Sequence, residues 1–354
     1  MKNLEGRLRA GMTANGIDAA TQENIVQQIS SFALYGFPES HAASFALIAY
    51  ASAYFKVKYL AAFTCAILNN QPMGFYMPAV LVKDAQRHGL RVKPIDVQIS
   101  EWACTIEHES DGSLSLRLGL GYAKGLRRQT AEALVERRSV DGLFHSTDDL
   151  VARVPALNRN ALTLLARIGA LNGLEGIAHR RDALWQVERA GKLEGPLFRQ
   201  ESSLLREDDI ATPLQQMNTE ERLMADYSGT GLTVGKHPLA YRREELRGKK
   251  ILSAAELQCR QDGEFVRAAG CIIARQRPGT AKGFVFLSME DETGIANVIV
   301  SPALFERERL LVTRSKFLIA EGPLQNQGGV VHVKAMHLRE LSSLALCVQS
   351  HDFH

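Results

Sequence analysis

Between Leu118 and Arg138 the chain reads Leu-Gly-Leu-Gly-Tyr-Ala-Lys-Gly-Leu-Arg-Arg-Gln-Thr-Ala-Glu-Ala-Leu-Val-Glu-Arg-Arg, a set of residues suited to gripping a phosphate backbone. Gly119, Gly121 and Gly125 lack a Cβ, so they can take positive φ and let the main chain approach a ligand closely. Ala131, Leu134 and Val135 recur at helical spacing, which predicts a helix over Arg128–Arg138 whose unpaired amides and positive dipole end lie at the glycine hairpin. A phosphate there would meet backbone N–H donors together with Lys124, Arg127 and Arg128. The pattern is a helix-hairpin-helix. The plainer reading of the same residues is a glycine turn before a helix with solvated cations.

The elements that must position this hairpin are helical before it and mixed after it. Residues 1 to 90 read as helices, with Ile17–Ser31 and the Ala- and Ser-rich stretch Ser40–Lys58 followed by a break at Pro72, Gly74 and Pro78 and a helix over Ala79–His88. Trp102–Glu107 and Ser113–Leu118 alternate around Ser110-Asp-Gly112, which predicts a β-hairpin feeding directly into the glycines. A second helical pair is expected over Asp148–Val154 and Asn158–Ile168, ended by Gly169. Residues 191 to 220 are polar and irregular and read as a linker.

From Phe265 the periodicity becomes that of strands. Phe265–Arg275, Gly283–Met289, Gly294–Val300, Lys316–Gly322 and Val330–Leu338 give five strands, with a helix over Ala303–Leu311 after the third. That order is the order of an OB-fold β-barrel, which binds single strands through a cationic groove and stacked aromatic rings. Arg275, Arg277 and Lys282 supply cations on the first loop, and Phe284 with Phe286 share one strand face where they would either stack on bases or fill the core.

Composition narrows the class. The 354 residues are 45% hydrophobic and carry a net charge of +3, so several modules with substantial cores are expected and nucleic-acid contact must come from local patches. Cys65, Cys104, Cys259, Cys271 and Cys347 form no C-x-x-C pair and read as reduced thiols. The apolar stretch Ala42–Leu68 is cut by Lys56 and Lys58 into runs too short to span a membrane, and Met1–Met12 lacks the apolar core of a signal peptide. The expectation is a soluble, cytoplasmic protein with no membrane partner.

Tyr35-Gly-Phe-Pro-Glu-Ser-His-Ala-Ala-Ser-Phe-Ala-Leu-Ile-Ala-Tyr, followed by Ala61-Ala-Phe-Thr-Cys-Ala-Ile-Leu-Asn-Asn-Gln-Pro-Met-Gly-Phe-Tyr, closely resembles the last fingers segment of bacterial C-family DNA polymerases, the α-subunits of DNA polymerase III. The resemblance continues in order through Gly125-Leu-Arg, Gly231-Leu-Thr-Val-Gly-Lys-His-Pro-Leu, Arg275-Gln-Arg-Pro-Gly-Thr-Ala-Lys-Gly, Glu290-Asp-Glu-Thr-Gly-Ile-Ala-Asn-Val-Ile-Val and Asp352-Phe-His. Pro38-Glu39, the Gln-Pro-Met-Gly-Phe-Tyr string and that ending resemble the error-prone, damage-tolerant branch. Lys58-Tyr59-Leu60 departs from the family's proline at this point.

The resemblance implies a multidomain α plus β chain: residues 1–100 as the C-terminal portion of helical fingers, 101–190 as the β-hairpin with the helix-hairpin-helix, 191–261 as linker and connecting helices, 262–340 as the OB-fold, and 341–354 as a tail. It implies that His41, Lys56 and Lys58 face the incoming nucleotide or the template. It implies partners as well: duplex and single-stranded DNA, an N-terminal polymerase half, a Y-family-like accessory protein and a sliding clamp, although Leu197-Phe198 is a poor clamp motif. In the family, the carboxylates that hold Mg²⁺ stand in a palm domain, and Met1 falls within the fingers region. Asp148-Asp149, Asp208-Asp209 and Glu290-Asp-Glu292 read as caps, linker and turn. No catalytic or metal-binding residue is therefore expected, and no cofactor on this chain. Two functions follow: the DNA-holding part of an error-prone polymerase acting in repair and translesion synthesis, or a free-standing nucleic-acid-binding adaptor. A scaffold that binds only protein is the bland third.

Overall fold

The computed structural model describes residues 2–34, 39–74, 76–190, 212–327, 329–341 and 351–353. The chain divides into two units, Met1–Tyr59 and Leu60–His354, so the division falls well before the expected boundary at residue 100. Residues 341–350 and 191–211, which carry most of the expected tail and linker and Asp208-Asp209, are largely or wholly outside the described residues, as are Leu197-Phe198 and Tyr35–Pro38.

The first unit consists of α1 (Lys2–Ala14), α2 (Ala19–Leu34) and α3 (Glu39–Lys58). Asp18 starts α2 by accepting hydrogen bonds from the Thr21 amide at 3.0 Å and the Thr21 hydroxyl at 2.6 Å, the behaviour of a good N-cap. Among the described residues of this unit, only Met12 and Val26 are buried apolar side chains.

The second unit opens with α4 (Leu60–Asn69) and α5 (Pro78–Arg87), where Pro78 occupies a first-turn position that needs no N–H. A three-stranded sheet follows, formed by β1 (Arg91–Lys93), β2 (Thr105–His108) and β3 (Leu114–Arg117) in the order β1-β3-β2. The β2–β3 pair is the expected antiparallel hairpin, turned at Gly112 with φ 80°. The parallel partner β1 was not expected, because three residues are too few to show a period. Helices α6 (Arg128–Asp141), α7 (Thr147–Arg153), α8 (Arg159–Ile168) and α9 (Arg180–Ala190) complete this part. Leu116, Leu120, Leu134, Phe144, Leu150, Leu165 and Leu171 are fully buried and form one core with Ala61 and Leu68 of α4 and Val82 of α5. Asn158 caps α8 by accepting from the Ala161 amide at 2.9 Å, and Gly169 ends it in the left-handed region.

Three shorter helices, α10 (Thr219–Gly229), α11 (Arg243–Gly248) and α12 (Ala254–Gln258), lead to the C-terminal strands. These are β4 (Phe265–Gln276), β5 (Val285–Glu290), β6 (Ile295–Val300), β7 (Phe317–Gln327), β8 (Val330–Ala335), β9 (His337–Glu340) and β10 (His351–Phe353). The pairings β4–β5–β6–β8–β7–β4 close a ring, antiparallel except for the parallel β6–β8 contact. Alternation along β5 buries Val285, Leu287 and Met289 and turns Phe286 and Ser288 outward, the period-2 pattern of a sheet with one core face. The helix expected after the third strand is two helices, α13 (Pro302–Arg307) and α14 (Arg309–Arg314), broken at Glu308. The expected last strand is likewise two, β8 and β9, separated at exposed Met336. Among the described residues, no helix is long and apolar enough to cross a membrane.

The helical part and the ring are joined by buried polar contacts around residues 231–239. From α5, Lys83 donates to the Gly235 carbonyl and to Gln86 Oε1 at 2.8 Å, Gln86 donates to the Val234 carbonyl at 2.7 Å, and Arg87 pairs with Glu290 of β5 at 2.9 Å. His237, 5% exposed, accepts from the Leu239 amide at 3.2 Å. Burial holds its imidazole down to about 3, with the charges of Lys83, Arg87 and Arg243 acting in the same direction.

A histidine whose folded pKa lies below its unfolded value binds fewer protons in the folded state. Its contribution is intact above pH 6.5 and is lost as pH falls from 6.5 toward 3. The expected cost is about 1 kcal/mol for each pH unit in that window. Urea unfolding at pH 7 and pH 4.5 checks this. His237→Gln is expected to be less stable than the parent at pH 7 but to lose about 2 kcal/mol less between the two pH values; equal losses in both proteins would remove His237 from the account.

Candidate nucleic-acid interface

The glycine hairpin is shaped by close packing. The amides of Leu120 and Gly121 donate to the carbonyls of Glu101 at 2.8 Å and Trp102 at 3.0 Å, and the Gly119 amide lies 3.5 Å from Cys104 Sγ. A Cβ on Gly119 would collide with the main chain of Trp102 and Ala103, and one on Gly121 would press on Trp102 at 3.1 Å. These two glycines were expected to cradle a ligand. They instead let residues 101–104 lie against the hairpin, and their amides are already bonded.

Gly125 differs. Its φ of 91° is left-handed, and nothing lies within 4 Å of where its Cβ would be. It turns the chain into α6, whose N-cap Arg127 makes no side-chain cap. The first-turn amides of α6 thus retain the donor capacity of an uncapped helix start. Around it, Lys124, Arg127 and Arg128 are all exposed. Arg128 pairs with Glu132 at 2.8 Å and lies 5.9 Å over the Trp102 ring. Lys124 is bound at 3.1 Å to the Tyr227 carbonyl, and its amide donates to the Gly229 carbonyl at 2.8 Å, which anchors the hairpin on the end of α10.

On the ring, the register sets two outward rows. Gln276, Phe286, Ile299 and Lys334 are paired across β4, β5, β6 and β8; Ser288, Asn297, His332 and Gln325 are paired across β5, β6, β8 and β7. Side chains paired in this way lie on the same face. Phe284 is 38% exposed and shares the parity of Phe286, so both expected aromatic residues lie outside the core. Arg277 is exposed and stacks over Phe305 at 4.4 Å, and Lys282 is exposed with φ 50°. Arg275 does not join them. It is buried, and its guanidinium donates to the Val312 carbonyl at 2.7 Å and to the Ser315 carbonyl, so it ties β4 to the end of α14 and is corrected from a loop cation to a structural clamp. Lys334 and Asn297 were missed from the sequence, because only the cross-strand register places them on the outward face that carries Phe286 and Ser288.

On α3, His41 packs edge-on against Phe45 with ring centroids 4.5 Å apart, Lys58 is exposed and Lys56 is half-buried.

The described acidic clusters are engaged in local structure. Asp149 accepts from the His145 amide at 3.0 Å and pairs with Arg153 at 3.1 Å; Asp291 accepts from the Ala254, Thr293 and Gly294 amides and pairs with Arg243, which also holds Glu292 at 3.0 Å. Glu290, whose carboxyl is pushed up to about 7 by burial against the opposing pull of Arg87, completes the joint with α5. Among the described residues, no group of three His, Cys, Asp or Glu could hold a metal ion.

A family model described as a helix-hairpin-helix motif matches residues 89–183. Over 98% of its length the chain is 44% identical to an error-prone DNA polymerase of Alkalilimnicola ehrlichii, covering 33% of that protein. It is 44% identical over its whole length to an error-prone DNA polymerase of Azoarcus sp., again 33% of that protein. Error-prone DNA polymerase 2 of Rhizobium meliloti is 39% identical over 97% of this chain and 32% of its own length. The chain thus spans about a third of the length of these relatives.

The two kinds of hairpin glycine separate by mutation. Gly119→Ala forces backbone apart and is expected to cost about 2–4 kcal/mol in denaturant unfolding. Gly125→Ala meets open space and bears only the cost of left-handed φ, about 1 kcal/mol. The reverse order would overturn the assignment of Gly119 to packing.

Proposed function

We infer that this chain, homologous along its length to the C-terminal third of bacterial error-prone DNA polymerases, is the part of such an enzyme that holds DNA. The observation that carries the reading is the uncapped start of α6 behind left-handed Gly125, with Lys124, Arg127 and Arg128 exposed beside it. Backbone amides, a helix dipole and cations converging at one point suit a phosphodiester on duplex DNA. Such contacts are independent of sequence, which suits a segment that must follow a moving primer–template.

The ring is read as an OB-fold that receives the single-stranded template. Its strand order and parallel closing pair support this, and so does the outward row with Phe286, Ile299 and Lys334, beside which Phe284, Arg277 and Lys282 stand. In the whole enzyme His41, Lys56 and Lys58 of α3 would face the nucleotide or template. Nucleotide addition, repair and lesion bypass belong to the whole polymerase, whose Mg²⁺-holding palm and further partners, an accessory protein and a sliding clamp, are part of the same proposal.

Salt dependence tests the grip on duplex DNA. Replacing Lys124, Arg127 and Arg128 together with Ala is expected to weaken binding equally for unrelated sequences and to flatten the slope of log K against log salt by up to ~3. An unchanged slope in the folded triple variant would sink the reading. For single strands, Phe286→Ala in the full chain is expected to lower affinity about tenfold, in keeping with the loss of one stacked base. Arg275→Met should instead lower the unfolding midpoint, because its guanidinium holds the carbonyls of Val312 and Ser315. Fluorescence anisotropy and thermal unfolding on the same samples separate the two effects.

A further inference from the structure

We propose that the groove enclosed by the α8–α9 turn, one face of α10 and the 233–235 loop is a binding site for a free nucleoside phosphate. The grip at the start of α6 plays no part in it.

The groove holds about 290 Å³, at the lower end of the range of small-molecule sites, roughly 300–1,000 Å³. Thr219, Arg222, Leu223 and Asp226 of α10 face it, the i, i+3, i+4, i+7 spacing of one helix side. Its walls are of two kinds. Pro94, Ile168, Met217, Leu223 and Val234 make an apolar side, while Asn172, His179, Arg180, Arg222 and Tyr241 bring hydrogen-bond donors. Among the described residues, the Arg222 guanidinium, the Asn172 amide and the Tyr241 hydroxyl have no hydrogen bond or ion pair.

Local geometry gathers the donors. Gly169 ends α8 at a φ of 83°, and a Cβ on it would lie 2.7 Å from Arg180 Nε and 3.3 Å from Asn172 Nδ2; the absent side chain is the space that lets these two groups stand together. His179 accepts from the Asp182 amide through Nδ1 at 3.1 Å, which puts its own proton on Nε2. Asp226, the only carboxylate among the described lining residues, already accepts from Arg180 at 2.7 Å and from the Thr233 hydroxyl at 2.6 Å. It leaves Arg222 as a cation with no counter-ion.

An unpaired guanidinium fork suits a phosphate. The Asn172 amide offers one donor and one acceptor side by side, the complement of the N6/N7 edge of adenine, and the apolar side suits the face of a base. Inorganic phosphate would leave that side wet, and an uncharged nucleoside would leave Arg222 unpaired. A phosphodiester in a DNA strand shares part of this chemistry, so the test separates the two sources.

Isothermal titration calorimetry on the full chain uses dAMP, with deoxyadenosine and inorganic phosphate as its two halves. The nucleotide is expected to bind at least about tenfold more tightly than either half. Arg222→Ala is expected to weaken dAMP at least about tenfold and to leave deoxyadenosine as it was, whereas Asn172→Ala is expected to weaken dAMP and deoxyadenosine and to spare inorganic phosphate. Both residues are exposed, and thermal unfolding without ligand checks that both variants fold. A saturating short DNA duplex is expected to leave the dAMP affinity unchanged. The proposal is overturned if dAMP shows no binding at millimolar concentration, if inorganic phosphate binds as tightly as dAMP, or if folded Arg222→Ala keeps the parent affinity. It is equally overturned if the duplex displaces dAMP, which would make the groove part of the DNA path; the salt slope of the triple variant reports on the α6 grip separately.

Discussion

Buried charge needs a partner, and around residues 231–239 that requirement fixes the second unit. Lys83 is 5% exposed and Glu290 4%; burial lowers the ammonium to about 8 and raises the carboxyl to about 7. Neither group tolerates being left alone, because breaking a buried pair by removing one member costs roughly 3–5 kcal/mol. Lys83 and Gln86 therefore hold the carbonyls of Gly235 and Val234, Arg87 holds Glu290, and Asp226 holds both Arg180 at 2.7 Å and Thr233 at 2.6 Å. Lys124 reaches the end of α10 next to this loop. The loop is thus tied to α5 and α10, the hairpin behind α6 to the end of α10, and the strand β5 directly to α5. Polar satisfaction of this kind selects a single arrangement where apolar packing alone would admit several.

The same principle explains why net charge is a poor guide to the surface proposed to face DNA. With a surplus of only +3, most cations have anions or carbonyls to hold. Arg138 is buried and binds the carbonyls of Val97 and Ser100 as well as Glu101, Arg153 binds Asp149 and the Gly142 carbonyl, and Arg243 binds Asp291. What distinguishes the α6 start is position: its cations stand at the surface beside an uncapped helix end. Local geometry, not cation number, makes an anion site.

This determines what could be read from the sequence. The helix after the glycines, the β2–β3 hairpin and the order of the C-terminal strands depend on neighbours within a few residues, so periodicity reveals them. The roles of Gly119 and Gly121 depend on Trp102 and Ala103, and those of Arg275 on Val312 and Ser315, contacts that no local pattern encodes. Lys334 entered the outward row only through the parallel β6–β8 register, which pairs it with Ile299. The division of the chain after Tyr59 has a related reason. Residues 60–100 look like a continuation of the preceding helices, yet Ala61 and Val82 complete the core around Leu116, a non-local fact.

On the proposed reading, the chemistry of the grip also bears on tolerance of damaged templates. Hydrogen bonds from the α6 amides and charge from Arg127 and Arg128 would fall on phosphates, which carry no information about the bases. Stacking on Phe286 uses the face that every base offers, and it survives changes to the hydrogen-bonding edge. A segment holding DNA only by backbone and base faces has no contact through which it could reject an altered base edge. Discrimination, where the whole enzyme exercises it, would then reside at the nucleotide-adding centre, and this third of the polymerase would hold regular and damaged template with nearly the same free energy.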